Sequence, residues 1–234
     1  MNNLLIIIPA YNEGKNLIDL LKKIKSENAS WSIIIVDDSE NFETNKLIDN
    51  YKEERVYYTK RNLKMGRGNA VRFGFEYSIK NKFDYILEMD ADFSHNPAEI
   101  KLLLNKLISN KYDLVIGSRY LKDSKIIGWP IKRRIFSKLS NFYAKFLFGF
   151  ELTDYTNGFR VYNASAINEL IKHPIENNGF MYLTESCVIL KKKNYKIFEQ
   201  ATIFINRKKG SSSLRLPEIL RSFIGIIKLK LKKL

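Results

Sequence analysis

The sequence predicts an α/β fold: a doubly wound, mostly parallel sheet with helices on both faces. Three observations carry this expectation. Short apolar runs alternate with longer stretches of helical spacing, the runs are apolar almost throughout, and polar loops recur at their carboxyl ends. Continuous hydrophobicity marks strands covered on both faces, as in a parallel sheet flanked by helices. In such sheets ligands bind beyond the carboxyl ends of the strands.

LLIII at 4–8 is followed by helical spacing over 14–27, where Leu17, Leu20, Leu21 and Ile24 share a face. SIIIV at 32–36 precedes a helix over 42–53, and RVYYT at 55–59 precedes one over 68–81. DYILEM at 84–89 leads through Pro97 into a helix over 97–110, and DLVIG at 113–117 is the fifth strand. Beyond about residue 121 a basic segment broken by Gly and Pro runs into an amphipathic helix. DYTNGFRVYN (154–163) reads as a turn, GFMYLTESCVILKKKNY (179–195) as a helix, and KIFEQATIFIN (196–206) as one strand before a basic, Ser-rich loop. At the end, Leu216, Ile219, Leu220, Phe223, Ile227, Leu231 and Leu234 form one helical stripe, with Arg221, Lys228 and Lys232 opposite. That pattern fits an interfacial helix on anionic lipid or a surface helix docked on its own domain.

The strand ends carry the chemistry: PAYNEG, DDSEN, RNLKMGRGNA, DADFSHNP and SRYLKD, in order. In the fourth, Glu88, Asp90 and Asp92 stand two residues apart. Carboxylates held that close repel unless water, a proton or a cation intervenes. A lone D-x-D is most often a solvated turn; several polar loops converging on one crevice point to a ligand site. KMGRGNA offers Gly66, Arg67 and Gly68 either to a phosphate or to a tight turn with a cap, and it matches neither a Walker A loop nor a dinucleotide fingerprint. His95 reads as a loop residue and Cys187 as a packed thiol.

At 234 residues and 45% hydrophobic, the chain can bury a sizeable core. Its apolar runs fall far short of the ~18 residues that a membrane span requires, and MNNLLIIIPAYNEG lacks the cationic start of a secretory signal. One cysteine excludes an internal disulfide, and two histidines do not make a zinc site. The net charge of +15 is uneven: there are seven Lys or Arg against one acid over 121–145, and nine against one over 201–234. Zones of this kind suit phosphates, lipid headgroups or nucleic acid.

Taken in order, IIIPAYNE, VDDS, DADFSHNP, GSRY, GWP with KRR and a following Ser, GFR and NRKKGSSS resemble inverting family-2 glycosyltransferases of the GT-A fold. They are most similar to the dolichyl-phosphate mannosyltransferase group, over residues 4 to about 230. The resemblance implies one catalytic domain over 1–215, with a nucleotide-sugar half (1–120) and an acceptor half (121–215), then an amphipathic segment at 216–234. It implies Mg²⁺ or Mn²⁺ held by Asp90 and Asp92 on a donor diphosphate. Pro9, Tyr11 and Glu13, with Asp37 or Asp38, would line the nucleotide pocket, and Ala91 and Ser94 would belong to the donor site.

By the same resemblance Arg119, Arg133 and Ser137 would hold the acceptor phosphate, and Arg207 would clamp the donor diphosphate. Ser213 stands where a Lys usually follows the G-x-S, so Lys208, Lys209 or Arg215 would have to substitute. The implied reaction is transfer of mannose from GDP-mannose to a polyprenyl phosphate, with inversion. A UDP-sugar donor or a saccharide hydroxyl acceptor is the alternative within the fold, and a hydroxyl would need a base such as Asp154 or Glu185. A basic nucleic-acid-binding module is the alternative outside it; no helix-turn-helix, zinc-finger or RNP pattern supports it, and nucleic acid is not an expected partner. The expected setting is cytoplasmic, peripheral on the cytoplasmic face of a membrane, with a membrane-protein partner as an option.

Overall fold

The computed structural model describes residues 3–61, 63–173, 181–206 and 225–231. Leu4–Ala10 (β1), Ser32–Asp37 (β2) and Val56–Lys60 (β3) pair in parallel through the crossovers Gly14–Glu27 (α1) and Glu43–Asn50 (α2). Arg67–Lys80 (α3) returns the chain to Tyr85–Glu88 (β4), which pairs in parallel with the other edge of β1. Residues of β1 alternate between two cores: Leu4, Ile6 and Ile8 pack toward α1, while Leu5 and Ile7 pack toward α3. Both faces are covered, which is why the run is apolar throughout.

A short turn at Pro97–Glu99 opens Ile100–Asn110 (α4), ahead of Leu114–Ser118 (β5). Asn96 caps that turn, its Oδ1 accepting the Ala98 N–H at 3.1 Å. Next come Lys125–Ile127 (β6) and Ile131–Phe148 (α5), which stops at Gly149 with φ +70, where a left-handed residue favours glycine. Arg160–Asn163 (β7), Ala164–Lys172 (α6), Met181–Lys192 (α7), Ile197–Ala201 (β8) and Ile203–Ile205 (β9) follow. Among the described residues the main sheet runs β3-β2-β1-β4-β7-β5-β8, and β6 pairs with β9 in a separate ribbon.

Two expectations change. DYTNGFRVYN is not simply a turn, because its second half is β7, antiparallel to both β4 and β5 near the middle of the sheet. An arginine inside a strand reads as surface, but Arg160 is buried and donates to the carbonyls of Asn157, Leu183 and Tyr155 at 2.7 to 2.8 Å. Those three bonds satisfy the guanidinium away from water. KIFEQATIFIN is two strands, broken at Thr202, in two different sheets.

At the chain end, open in the sequence between an interfacial and a docked helix, the described stretch is short. Residues 225–231 are helical, and Ile226 and Leu229 are buried in the same core as Phe148 of α5. This part of the terminal segment is docked on its own domain. Ile227 and Leu231 of the expected stripe are exposed; the other five stripe residues lie outside the described residues. No described helix is long and apolar enough to cross a membrane.

Candidate active site

The carboxyl ends of β1, β2 and β4 form one wall of a crevice. Pro9 lies in β1, Tyr11 and Glu13 in the loop before α1, and Asp37 and Asp38 at the end of β2. The Asn12 N–H donates to Ser39 Oγ at 2.7 Å, which fastens the first loop to the second. The Tyr11 ring lies 3.8 Å from Lys64 Nζ, and its hydroxyl donates to Glu40 at 3.1 Å. Asp37 is fully buried and accepts from the Ser39 N–H at 2.9 Å, from the Ser39 hydroxyl, and from the Tyr58 hydroxyl at 2.8 Å. Asp38 is gripped on both oxygens by Arg61, at 2.5 and 2.6 Å. Both carboxylates already accept from protein donors, so a nucleobase reaching either must share or replace one of them.

The D-x-D turn follows the carboxyl end of β4, next to β1 in the sheet. Asp90 Oδ1 accepts from Arg67 Nε and Nη2 at 2.9 and 2.7 Å. The same guanidinium reaches Glu88 at 3.3 Å and the Tyr182 hydroxyl. Burial alone would lower the Arg67 pKa, but Asp90, Tyr182 and Glu88 outweigh it and hold the value well above the usual one. Glu88 itself is fully buried and accepts from the hydroxyls of Tyr162, at 2.8 Å, and Tyr182. It anchors Arg67 and is not a ligand facing the crevice. The GRG loop is thereby assigned: Arg67 neutralises the acidic turn. Gly158 lies alongside, and a Cβ there would overlap Arg67 Nη2, so a larger residue would have to displace the guanidinium from its place beside Asp90.

Asp92 Oδ1 accepts the Ser94 N–H at 3.0 Å, closing the turn around Phe93, a non-glycine residue at φ +60. Ala91 and Ser94 are buried beneath it. His95 is a loop residue, as the sequence implies, but a buried one. It is 1% exposed, its Nδ1 accepts the Asp90 N–H at 3.1 Å, and its Nε2 therefore carries the proton donated to Asn157 Oδ1 at 3.0 Å. Its ring stacks on Phe159 at 5.0 Å between centroids. The Ile205 N–H donates to the Ser94 carbonyl at 3.1 Å, so β9 is fastened to the turn as well. His95 and Asn157 escaped the sequence reading because their partners lie 62 residues apart; the one visible signal was their place inside DADFSHNP and DYTNGFR.

On the acceptor side, Arg119 grips Asp154 through Nε at 2.7 Å and Nη2 at 2.8 Å, and Nη2 also donates to Thr156 at 2.7 Å. The pair is buried, with the Arg119 guanidinium 5.2 to 5.5 Å from the rings of Trp129, Phe204 and Tyr120. Burial would raise the Asp154 pKa, but Arg119 overrides it and holds the carboxyl below its ordinary range. Glu199 fixes the loop by accepting from the N–H groups of Thr153 and Asp154 at 2.8 and 2.7 Å. Arg119 thus stands at the edge of the site with two nitrogens already engaged. Arg133 stacks on Trp129 at 4.3 Å and donates to Asn206 at 3.2 Å, while Ser137 lies one turn further along α5 near the Tyr120 hydroxyl. Arg207, Lys208, Lys209, Ser213 and Arg215 lie outside the described residues.

A mostly parallel α/β sheet with an acidic D-x-D turn on its carboxyl edge is the arrangement of a GT-A glycosyltransferase. The chain belongs to glycosyltransferase family 2: the model of that family, Glycosyl transferase family 2, matches residues 5–171. It is 30% identical over 213 residues to the polyprenol monophosphomannose synthase of Mycolicibacterium smegmatis, covering 90% of this chain and 80% of that one. It is 31% identical over 212 residues to the undecaprenyl-phosphate mannosyltransferase of Micrococcus luteus, covering 90% and 86%. Among solved structures, the fold matches glucosyl-3-phosphoglycerate synthase from Mycobacterium tuberculosis, in complex with Mn²⁺, UDP and phosphoglyceric acid. The TM-score is 0.71 at 14% identity, with 98% of this chain and 78% of that chain covered. TarS 1-349 of S. aureus gives a TM-score of 0.57 at 13% identity, covering 97% and 71%.

Proposed function

We propose that the protein transfers mannose from GDP-mannose to a polyprenyl phosphate, inverting the anomeric centre. The observation that carries this reading is the match, over 90% of the chain, to two enzymes named for mannosyl transfer to a polyprenyl phosphate. Pro9, Tyr11, Glu13, Asp37 and Asp38 line the nucleotide side, with Ala91 and Ser94 under the sugar diphosphate. Asp90 and Asp92 are the residues to hold Mg²⁺ or Mn²⁺. Among the described residues no three His, Cys, Asp or Glu gather into a protein-only metal cage. Two carboxylates with hard oxygens, completed by the donor's phosphates, still suit such a cation. When bound, it supplies Lewis-acid neutralisation of the leaving diphosphate.

Arg67 keeps Asp90 charged and aimed when no donor is present, and it shares that carboxylate when one arrives. The acceptor phosphate lies against Arg133 and Ser137, with Arg119 adding its field from the rim while it remains on Asp154. β9 is fastened to the acidic turn through the Ile205 N–H and the Ser94 carbonyl, and Arg207, two residues further in the sequence, is the diphosphate clamp of this reading. A phosphate monoester with a second pKa near 6 is largely ionised at neutral pH and needs no protein base. Asp154, held acidic by Arg119, is a poor base, which removes one of the two candidate bases a saccharide hydroxyl would need. The reading places the enzyme on the cytoplasmic face of a membrane, bound peripherally.

The test is transfer of label to a polyprenyl phosphate in detergent with Mg²⁺ or Mn²⁺, from GDP-mannose, UDP-glucose and UDP-N-acetylglucosamine in turn. Lipid product from GDP-mannose alone is the expected result. Product from a UDP-sugar instead would overturn the donor assignment, and donor hydrolysis without lipid product would overturn the acceptor.

A further inference from the structure

We propose that His95 and Asn157 are positioning residues for sugar transfer, which together hold the acidic turn in a fixed register against the acceptor side of the site. The inference rests on the proposed function, in which Asp90 and Asp92 hold the cation on the donor diphosphate. Two ligands on a turn serve only if their spacing and height are fixed, because a displacement of about an ångström costs much of the rate. Arg67 holds the Asp90 carboxylate, but the backbone beneath has its own anchors. Asp92 closes the second half of the turn by accepting the Ser94 N–H, and Phe93 within it sits at φ +60. His95 closes the first half: its Nδ1 accepts the Asp90 N–H at 3.1 Å, so the imidazole bridges the start of the turn to the residue that follows it.

From there the hydrogen bonds run one way. With Nδ1 accepting, Nε2 carries the proton and donates to Asn157 Oδ1 at 3.0 Å, and the Asn157 Nδ2 donates to the Gly117 carbonyl. A backbone N–H only donates and a carbonyl only accepts, so the two ends of the chain set both the ring tautomer and the amide orientation. Asn157 reaches the acceptor arginine by two routes. Gly117 stands two residues before Arg119, in β5, and the Asn157 N–H donates at 3.1 Å to Oδ1 of Asp154, the carboxylate that grips Arg119.

Packing follows the same line. His95 and Asn157 are both buried, and the imidazole meets Phe204 edge-on at 5.4 Å; Phe204 in turn meets Trp129 at 5.0 Å, on which Arg133 stacks. The backbones of His95 and Phe204 form an antiparallel bridge. An apolar ring would fill this space equally well. A histidine with one nitrogen on the acidic turn and the other on the segment that holds Asp154 does more, because it ties the donor's turn to the acceptor's frame. Partners of this kind, one shell behind a ligand, commonly alter metal affinity and rate when they are removed.

Asn and Gln each keep one half of a histidine. Asn offers an acceptor where Nδ1 stood but is too short to reach Asn157, whereas Gln reaches Asn157 and leaves the Asp90 N–H unmatched. The test, on the full chain, is calorimetric binding of GDP over a range of Mn²⁺ concentrations, with steady-state transfer from GDP-mannose and urea melts beside it. His95→Gln should raise the Mn²⁺ needed for half-maximal GDP binding about tenfold. His95→Asn and Asn157→Ala should leave that demand near wild type and lower kcat about tenfold or more, because the turn keeps its shape and loses its register. The double variant His95→Asn/Asn157→Ala should be no worse than Asn157→Ala, since both changes cut the same bond. Leu170→Ala, a cavity in the core at α6, should lower stability without moving metal demand or kcat. Wild-type metal demand in His95→Gln, or losses that add in the double variant, would overturn the proposal while the proposed function stands. Asn157→Ala decides alone where a His95 variant does not fold, since an unchanged kcat would overturn it. Absence of metal-dependent GDP binding in the wild type would overturn the proposal and the proposed function together.

Discussion

Two arginine–aspartate pairs flank the crevice, and they differ in one respect that separates their roles. Arg67–Asp90 on the donor side and Arg119–Asp154 on the acceptor side have the same chemistry and nearly the same length, 2.7 Å at their shortest. The Asp90 side chain is 28% exposed, however, whereas Asp154 is completely buried. A partly solvated carboxylate can change partners as a substrate arrives. A buried one cannot be left alone, because stranding its partner costs several kcal/mol. On the proposed function, the donor-side pair is an exchangeable contact for the substrate and the acceptor-side pair is part of the frame.

This contrast is open to attack by substitution, beginning where the effect is largest. Asp92→Ala and Asp90→Asn should each lower sugar transfer on the order of a thousandfold, since several kcal/mol of leaving-group stabilisation depends on that turn. Their melting temperatures should stay within a few degrees of wild type; a large drop would place Asp90 in the frame as well. Asp154→Asn should do the reverse, leaving Arg119 buried without a counter-charge at a cost of about 3–5 kcal/mol, or roughly ten degrees of melting temperature. A variant that melts like wild type but has lost transfer would break the distinction.

Gly158→Ala is gentler. The added methyl should push Arg67 off Asp90 at a cost of roughly 1–3 kcal/mol, read in urea melts, with a change in the metal concentration needed for half-maximal transfer. Unchanged stability and metal demand would show that Arg67 is not confined there. Smallest is the effect of acid. Because Arg119 holds the Asp154 carboxyl below its unfolded value, the pair contributes stability above the ordinary carboxylate range. That contribution should be lost as the pH falls below about 4 and through the depressed value. The loss should disappear from urea melts of Asp154→Asn, if that variant folds.

The same contrast explains what the sequence could reveal. β1, β2 and β5 and their helices were legible because nearly every residue in these strands is buried for the same reason, so composition alone reports them, while the half-exposed β3 still carries the β-branched and aromatic residues of a strand. The acidic turn was legible because like charges two residues apart demand a counter-charge. The identity of that counter-charge was not legible: Arg67 comes from 23 residues upstream, in a loop equally suited to phosphate. β7 was hidden because Arg160 is satisfied by three carbonyls brought from two other segments, a pattern that no local periodicity records. The exposed face of α5 was readable only as amphipathicity, since which face would be buried depended on where Asn141 and Phe148 docked.

The most direct test of the account is calorimetric binding of GDP by the wild type and by Asp92→Ala, each with and without Mn²⁺. The account predicts tight binding only for wild type with the metal, and weak, metal-independent binding for the variant. Equal, metal-independent binding by both proteins would contradict it, because the acidic turn would then have no part in holding the donor's diphosphate.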